Sequence, residues 1–488
     1  TYTRVFQGEE KTVTESYVIN TQPAWLETTG NPAIAQNFMT AKVTTPAPKE
    51  FSDRLYFINN LGAADVRASR AVWNNPVGGA LQWNNPPRNA ILDTKGEIRW
   101  YMKADRIYDP ESLYDAGIMM GFHQNADGAL SWGYGQHYAK YDLLGRKVFN
   151  RRLPANYADF SHAMMPAENG GYFLRVASPD LRRADDTRVR TVRDVIIEVD
   201  ASGEVVDEWR LFEILDPNRN IVLKSIDQGA VCLNIDTSQS GKTLSAEQLA
   251  KLEAQHAFGD IAGTGAGRNW AHVNSVDHDP VDDSIILSSR HQSAVVKIGR
   301  DKQVKWILAA PNGWRDGLKD KVLTPVGKDG RPLSCRIGKC EGGFDWTWTQ
   351  HTAWKIDELS KGDIVYVSVF DNGDGRAFVQ PEDQNEKYSR AVVYKIDQKA
   401  MTVEQVWEYG KERGHELYSP ITSSVEYQAD KNSVVVYWAS IGTGSKTGPA
   451  PVLTEFRWGE TKPAFEMHLK GGMGYRALPI DAQKAFVR

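Results

Sequence analysis

The chain has 488 residues, with 58 Lys and Arg against 62 Asp and Glu, so its formal net charge at pH 7 is -4. Nucleic acids and anionic membranes bind concentrated basic surfaces, and this near-balance argues against either as the main partner. The longest apolar runs, such as Ser433 to Trp438, have the length of a β-strand, whereas a membrane-spanning helix needs about 20 residues. We therefore expect a soluble protein without nucleic-acid or membrane binding.

Residues 1–52 are predicted to form part of a small N-terminal β-sandwich and a linker. Apolar and polar residues alternate from Thr12 to Ile19, as in a strand with one buried face. The proline-containing stretch from Thr44 to Lys49 has the composition of a linker. Because the sequence opens in what reads as the middle of a strand, we expect this unit to be incomplete.

A recurring hairpin is the main indication of fold from residue 53 onward. Each copy has an apolar strand, a polar turn and a second strand, and most copies end near a tryptophan. The six copies begin at Ile91, Tyr138, Val195, Val295, Val392 and Val452. Since a four-stranded blade buries its faces only by stacking on its neighbours, the pattern predicts an all-β protein with a six-bladed β-propeller over residues 53–488. A β-sandwich with inserted hairpins is the alternative, and Ser245 to Ala257 is the best helical segment.

A second repeat places polar residues just before an apolar strand in several blades. The copies are Phe160–Met164, Trp270–Ser275, Thr349–Ala353 and Tyr418–Ser423. Equivalent positions of propeller blades are related by rotation about the central axis. We therefore expect His162, His272 and His351 to converge at the mouth of the central channel.

The chemistry of such a cluster has more than one interpretation. Arg290 ends the predicted strand Ile285–Ser289, in the same blade as His272, and its planar fork of donors suits a sulfate, phosphate or carboxylate. Three histidines are also a ligand set for catalytic zinc, although an adjacent arginine would repel the metal. Alternatively, one neutral imidazole attacks a sulfuryl or phosphoryl centre while the other groups stabilise the charge. A propeller that only binds an anionic ligand is the non-enzymatic alternative.

Two further features lie just before His351. Phe344, Trp346 and Trp348 could form a flat apolar wall for an aryl group or could simply pack between blades. Cys335 and Cys340 are close enough in sequence to form a disulfide, although the spacing alone is a weak signal. Cys232, in an apolar run, reads as a buried thiol.

Several long motifs closely resemble the bacterial arylsulfate sulfotransferases. They are Gly265–Ser275, Asp283–Gln292, Thr349–Trp354, Val369–Arg376, Val403–Gly414 and Tyr418–Ser423. The resemblance extends over most of the chain from Asp53 to Arg488. It implies a periplasmic six-bladed propeller behind an N-terminal β-sandwich, usually as a homodimer. It also implies transfer of a sulfuryl group from a phenolic sulfate to a phenol, without a nucleotide donor, cofactor or metal.

The same resemblance implies roles for individual residues. His351 matches the histidine that is transiently sulfated, and His272 with Arg290 matches the pair that binds the sulfuryl oxygens. His162 matches a further active-site histidine, although its neighbours depart from the family pattern. Cys335 and Cys340 fall where the family has its disulfide, which implies a disulfide-forming oxidoreductase as a partner during maturation. Substrate contacts are expected from Asn274, Trp348, Thr422 and Tyr475.

Overall fold

The computed structural model describes residues 2–6, 9–13, 29–30, 38–62, 86–104, 107, 118–178, 192–217, 219, 221–222, 225, 247, 270–379, 382–443 and 445–484. Cys232 and the predicted helix at 245–257, except for residue 247, lie outside these ranges. Within them, no helix is both long enough and apolar enough to cross a membrane.

Almost all regular structure in the described residues is β-strand. The strands of the first half are β1 (Tyr2–Phe6), β2 (Glu9–Val13), β3 (Thr29–Gly30), β4 (Thr40–Thr45), β5 (Leu55–Leu61), β6 (Pro87–Asp93), β7 (Ile98–Met102), β8 (Met120–Gln124), β9 (Leu130–Tyr134), β10 (His137–Tyr141), β11 (Lys147–Arg152), β12 (Met164–Pro166), β13 (Tyr172–Ser178), β14 (Val192–Val199) and β15 (Val205–Arg210). The strands of the second half are β16 (Val273–Asp279), β17 (Ser284–Ser289), β18 (Ala294–Gly299), β19 (Val304–Leu308), β20 (Thr324–Pro325), β21 (Cys335–Arg336), β22 (Lys339–Cys340), β23 (Ala353–Lys355), β24 (Ile364–Asp371), β25 (Arg390–Asp397), β26 (Thr402–Tyr409), β27 (Ser424–Gln428), β28 (Ser433–Trp438), β29 (Val452–Arg457), β30 (Phe465–Lys470) and β31 (Met473–Pro479). Helical structure comprises α1 (Leu211–Ile214) and the 3-10 turns Lys49–Phe51, Arg290–Gln292, Lys319–Lys321, Arg376–Phe378 and Lys411–Leu417.

These strands form the six blades that the sequence predicts. Three sheets follow chain order, as β8 to β11, β12 to β15 and β16 to β19. The fourth blade runs from β23 to β26, with β20 outside it, and the fifth from β27 to β30. In the sixth, β31 at the end of the chain pairs with β5, followed by β6, β7 and β3. This pairing closes the ring, because it joins the C-terminal strand to strands from the N-terminal part of the chain.

All six predicted hairpins are confirmed as antiparallel strand pairs within these sheets. The turn chemistry explains their recurrence. At the first hairpin, the carboxylate of Asp93 accepts the backbone N–H groups of Lys95 and Glu97, and Gly96 has a φ of +80°. Glycine tolerates this left-handed conformation without strain. The same Asp-to-Gly spacing closes the turns at Asp142 to Gly145 and Asp200 to Gly203.

Two strands differ from the predicted division of the chain at residue 52: the short strand Thr29–Gly30 pairs with β7 in the sixth blade, and a longer one joins the fifth. Thr40–Thr45, which we assigned to the N-terminal unit and linker, pairs with Phe465–Lys470 and forms the outer edge of the fifth blade. Its residues alternate between exposed and partly buried, as expected for an edge strand that covers a sheet on one face. The β-sandwich itself stays a prediction.

Six hydrophobic clusters fill the six gaps between neighbouring blades. In the gap between the sixth and first blades, the ring of Phe57 lies 4.8 Å, between centroids, from the ring of Phe122. Each blade is covered on both faces by its neighbours. The central axis is therefore lined by the first strand of each blade, namely β8, β12, β16, β23, β27 and β31.

Candidate active site

The three predicted histidines occupy equivalent places in consecutive blades. His162, His272 and His351 each lie just before the first strand of the second, third and fourth blade. The ring of His162 lies 4.9 Å from the ring of His272 and 6.0 Å from that of His351, measured between centroids. The predicted convergence of the three imidazoles is therefore confirmed.

The backbone at two of these histidines is unusual. His162 has a φ of +69° and His272 a φ of +49°, which side-chain-bearing residues seldom adopt. At His272 the carboxylate of Asp194 holds the turn, since it accepts the backbone N–H groups of His272 at 3.1 Å and Val273 at 3.0 Å. Asp194 is itself paired with the buried Arg175 at 2.8 Å. Such conformations persist only where surrounding contacts over-determine them, as is common at functional sites.

His351 presents one ring nitrogen for chemistry. Its Nδ1 lies 2.9 Å from the backbone carbonyl of Ser423, and since a carbonyl only accepts, Nδ1 carries the proton. The basic Nε2 is buried and has no hydrogen-bond partner among the described residues. Burial, followed by the positive charge of Arg476, holds the pKa of His351 well below its usual value. The imidazole is therefore neutral near pH 7, which is the state a nucleophile requires.

His272 is neutral for a similar reason. Its ring lies 4.5 Å from the ring of the buried His291, measured between centroids, and the side chain is 3% exposed. Burial lowers the pKa of His272 well below its usual value, and the neighbouring His291 and His162 lower it further. His162 differs, because it is partly exposed and its Nδ1 contacts the hydroxyl of Ser161.

Arg290 connects the turns of three blades beneath the histidines. Its backbone N–H donates to the carbonyl of His272 at 3.1 Å. The guanidinium, in a side chain that is 1% exposed, donates to the carbonyls of Thr349 at 2.5 Å and Pro420 at 2.8 Å, and to Asn372 Oδ1 at 3.3 Å. These contacts hold the positive charge of Arg290 against the backbone carbonyl of Thr349, which lies two residues before His351 in the turn of the fourth blade. The arrangement suits an anion bound beside the imidazoles.

Two of the predicted substrate-contacting residues lie at the cluster. The Tyr475 ring is edge-on to the His351 ring at 5.2 Å between centroids, and its hydroxyl lies 3.4 Å from the carbonyl of His162. The amide nitrogen of Asn274 lies 3.4 Å from the carbonyl of Gln350, while its Oδ1 is buried without a hydrogen-bond partner in the described part of the chain. The hydroxyl of Thr422 donates to the backbone carbonyl of Ile421 at 2.6 Å, and Thr422 directly precedes Ser423.

The aromatic run before His351 packs between blades and is not open to a ligand. Phe344, Trp346 and Trp348 are 4%, 1% and 1% exposed and belong to the cluster between the third and fourth blades. The Trp348 Nε1 donates to Asp345 at 3.0 Å, and its ring packs edge-on against Phe378. This placement corrects the expectation of an aryl-binding wall and of a substrate contact at Trp348. Tryptophan at this position stabilises the fold because the inter-blade gap needs a large apolar side chain.

Cys335 and Cys340 are joined by a disulfide across the short hairpin β21–β22. Gly338 at its tip has a φ of +70° and lies so close to Trp348 that a Cβ there would come within 2.8 Å of the indole. The hairpin therefore covers Trp348, which begins the turn leading to His351. Sequence reasoning proposed the bridge from the family resemblance, and only the structure shows which ring it covers.

Sequence reasoning missed Ser423 and Arg476. Ser423 supplies the carbonyl that sets the His351 tautomer, and no side-chain pattern marks a backbone acceptor. Arg476 follows Tyr475 on the closing strand β31 and has no counterpart in the polar repeat that led to the histidines. Across the described residues, no group of three or more His, Cys, Asp or Glu side chains is arranged to hold a metal ion.

Residues 40–476 match the family model described as arylsulfotransferase. The chain belongs to the arylsulfotransferase family. It is 45% identical over 447 residues to the arylsulfate sulfotransferase of Escherichia coli O6:H1, an alignment that covers 88% of this chain and 72% of the relative. The arylsulfate sulfotransferase of Lelliottia amnigena is 43% identical over the same shares of the two chains. The predicted membership is thus confirmed.

A solved structure from Bacteroides caccae, described as a protein of unknown function, can be superposed over 88% of this chain and 98% of its own. Its TM-score is 0.42 and its sequence identity 10%. At that score the likeness adds nothing to the family match.

Proposed function

We propose that this protein is an arylsulfate sulfotransferase that moves a sulfuryl group from a phenolic sulfate to a phenol by way of a sulfated His351. The observation that carries the proposal is the buried Nε2 of His351, neutral and without a partner in the described chain, beside two further imidazoles and Arg290. Family membership and the two sulfotransferase relatives support the substrate class.

In the first step, His351 Nε2 attacks the sulfur of the donor in line with the aryl oxygen. A nitrogen–sulfur bond forms, the sulfur–oxygen bond breaks, and the phenolate takes a proton and leaves. The Nδ1–H of His351 keeps its hydrogen bond to Ser423, which stabilises the positive charge that the ring gains. Arg290 and His272 lie where they can stabilise the sulfuryl oxygens, as fixed donors in a dry site do for developing anions.

In the second step, an acceptor phenol gives up its proton and attacks the same sulfur, and the nitrogen–sulfur bond breaks. His162 is assigned the proton transfers because it is partly exposed and its ring lies within 6.0 Å of the rings of both His272 and His351, measured between centroids. Two separate transfers mean that donor and acceptor need not be bound together. Neither step draws on a cofactor or a metal ion.

The remaining parts of the proposal concern the setting of the enzyme. The disulfide between Cys335 and Cys340 supports an oxidising compartment, and we propose the periplasm. A disulfide-forming oxidoreductase would then be the maturation partner. A homodimer is proposed from the family resemblance alone.

A single assay tests the proposal. A chromogenic phenyl sulfate and a second phenol are mixed with the protein, and donor loss, acceptor sulfation and free sulfate are followed with and without a chelator. We expect acceptor sulfation that the chelator does not change. Binding of the donor without turnover would favour a propeller that only binds its ligand. Chelator-sensitive release of free sulfate would favour hydrolysis by a zinc ion held by the three histidines.

The covalent intermediate can be sought directly. Protein incubated with donor alone and quenched in mild base should carry a labile sulfonate on the peptide that contains His351. Peptide mass spectrometry reads this out, and the His351→Asn variant should lack the modification. A sulfonate on another residue would contradict the nucleophile assignment while leaving the overall activity intact.

A further inference from the structure

The turn that holds His351 has an unusual backbone. Nδ1–H of His351 donates to the carbonyl of Ser423 at 2.9 Å, and Ser423 ends the turn of residues 419–423 just before β27. Thr422 and Ser423 have φ values of +56° and +88°, so two consecutive residues that carry side chains are in the left-handed region. Such a conformation persists only where other contacts enforce it. The contacts made by this turn therefore decide where the carbonyl of Ser423 points.

Every carbonyl of the turn accepts a hydrogen bond from a buried side chain. The donors are the side chains of Arg290, His351, Asn372 and Ser440. Arg290 belongs to the third blade, His351 and Asn372 to the fourth, and Ser440 to the fifth. One turn thus places the charge of Arg290 and the tautomer of His351 in a single hydrogen-bond network.

Asn372 bonds to the turn at two of its carbonyls. Its side chain is 0% exposed, and its Nδ2 donates to the carbonyls of Ser419 at 2.7 Å and Thr422 at 3.1 Å. Carbonyls only accept, so the amide nitrogen and not the amide oxygen faces them. Oδ1 in turn accepts from Nη1 of Arg290 at 3.3 Å. Asn372 therefore joins Arg290 to the turn that holds His351.

Buried serine hydroxyls also hold the turn. The Oγ of Ser419 lies 2.8 Å from the Oγ of Ser423 and 2.8 Å from that of Ser440. The Oγ of Ser440 accepts the backbone N–H of Ile421 at 3.1 Å. The backbone N–H of Ser423 donates to the carbonyl of Tyr475 at 3.1 Å. Ser423 is thus fixed through its N–H group and its hydroxyl as well as through its carbonyl.

We propose that Asn372 is a positioning residue for the nucleophile and acts through the turn of Thr422 and Ser423. By holding the turn, Asn372 keeps the carbonyl of Ser423 on Nδ1 of His351, so the proton of the neutral ring stays on that nitrogen. Nε2 then keeps the lone pair that attacks sulfur. Without this acceptor the proton is free to occupy Nε2, and a protonated nitrogen does not attack. The inference rests on the proposed function, but the tautomer that it specifies is measurable without sulfuryl transfer.

Nitrogen NMR of protein that carries isotope-labelled histidine measures the tautomer at neutral pH. The signals of His351 are those that His351→Asn lacks. We expect the Nδ1–H tautomer in the unmodified protein and a substantial Nε2–H population in Asn372→Leu, because leucine is similar in size but donates no hydrogen bond to the turn. An unchanged tautomer in folded Asn372→Leu would overturn the proposal.

Single-turnover kinetics measures the consequence for the reaction. The rate at which donor alone sulfonates His351 should fall about 100-fold in Asn372→Leu, as expected for a misplaced nucleophile. Asn59→Leu is the matched control, because Asn59 is also 0% exposed and its Nδ2 also has two acceptors, Asn89 Oδ1 at 2.8 Å and the carbonyl of Met119 at 3.3 Å. Folded Asn59→Leu should react at the unmodified rate. Equal losses in both variants would overturn a specific role for Asn372.

A second variant separates the turn from Arg290 and also serves if Asn372→Leu does not fold. Asn372→Asp keeps the oxygen that accepts from Arg290 but presents another oxygen to the carbonyls of Ser419 and Thr422. We expect the same change of tautomer in this variant, with thermal unfolding as the check that it is folded. The tautomer and rate of the unmodified protein in Asn372→Asp would show that Asn372 serves Arg290 alone, and would overturn the proposal.

Failure of the proposed function has a different signature. If the unmodified protein forms no sulfonate on His351, sulfuryl transfer through this residue is wrong. The NMR comparison of the unmodified protein with Asn372→Leu and Asn372→Asp still decides whether Asn372 sets the tautomer of His351.

Discussion

The two ends of the central channel are lined by the same six strands but are built differently. At the histidine end, Arg290 joins three turns through backbone carbonyls, and Ser423 fixes the tautomer of His351. At the other end, Trp354 lines a cavity of about 200 Å³, and Arg476 stacks on that ring without a hydrogen bond or ion pair among the described residues. The first arginine is held by hydrogen bonds, and the second by ring stacking. Four experiments test this difference.

The largest expected effect is at the nucleophile. His351→Asn should lower the rate of sulfuryl transfer by at least about 1,000-fold, because removing a covalent nucleophile removes the reaction path. Steady-state turnover measures the effect, and substantial remaining activity would refute the role of His351.

The second experiment replaces each arginine by lysine. Arg290→Lys leaves the carbonyls of Thr349 and Pro420 short of donors, at a cost of about 1–3 kcal/mol for each buried group left unpaired. Its rate should fall about 100-fold or more, as expected when a preorganised charge is lost. Arg476→Lys, which breaks no hydrogen bond, should retain its stability and most of its rate. Equal losses in both variants would remove the distinction between the two arginines.

The third experiment uses pH. The charge of Arg476 lowers the pKa of His351, so Arg476→Met should raise that pKa towards its usual value. The nucleophile must be neutral, so the acid side of the kcat/KM profile should move to higher pH in the variant. Rates measured between pH 4 and 8 show the shift. Arg331→Met is the control for net charge, because the side chain of Arg331 is 86% exposed. A profile that moves to lower pH would contradict the placement of Arg476 next to His351.

The smallest expected effect comes from the disulfide-closed hairpin. Gly338→Ala places a Cβ within 2.8 Å of Trp348, whereas Gly330→Ala, at a similar positive φ, meets nothing within 4 Å. Both variants bear a similar backbone cost, so their difference isolates the contacts of the new Cβ, which are with Trp348 and, at 3.0 Å, with the backbone of Ala377. We expect a several-fold lower rate for Gly338→Ala because Trp348 begins the turn of His351. Equal rates would show that the hairpin does not position the nucleophile.

Much of the fold was predictable because it repeats. The Asp-to-Gly turns and the six hairpins follow local rules of strand alternation and turn chemistry, and all six were found as antiparallel pairs. The strand Thr40–Thr45 was missed, since an edge strand before a proline has the composition of a linker. Its pairing with β30 spans more than four hundred residues, which no local pattern reports.

The candidate active site also has a part that the sequence predicted and a part that it did not. Equivalent positions in repeated blades predicted that His162, His272 and His351 meet, because rotation about one axis brings equal positions together. The role of the aromatic run Phe344, Trp346 and Trp348 was not predictable, since tryptophan suits both the wall of a ligand site and the core between two blades. The structure places Trp348 in the core.

By itself, the sequence determined that this is a propeller of the arylsulfotransferase family with three converging histidines and an arginine. Only the tertiary structure decided the rest: that Ser423 sets the proton on His351, that Trp348 lies in the core, and that Arg476 is buried on Trp354 without a hydrogen bond or ion pair in the described chain. The physical reason is that tautomer, burial and pKa depend on atoms that the packing of neighbouring blades brings together from distant parts of the sequence.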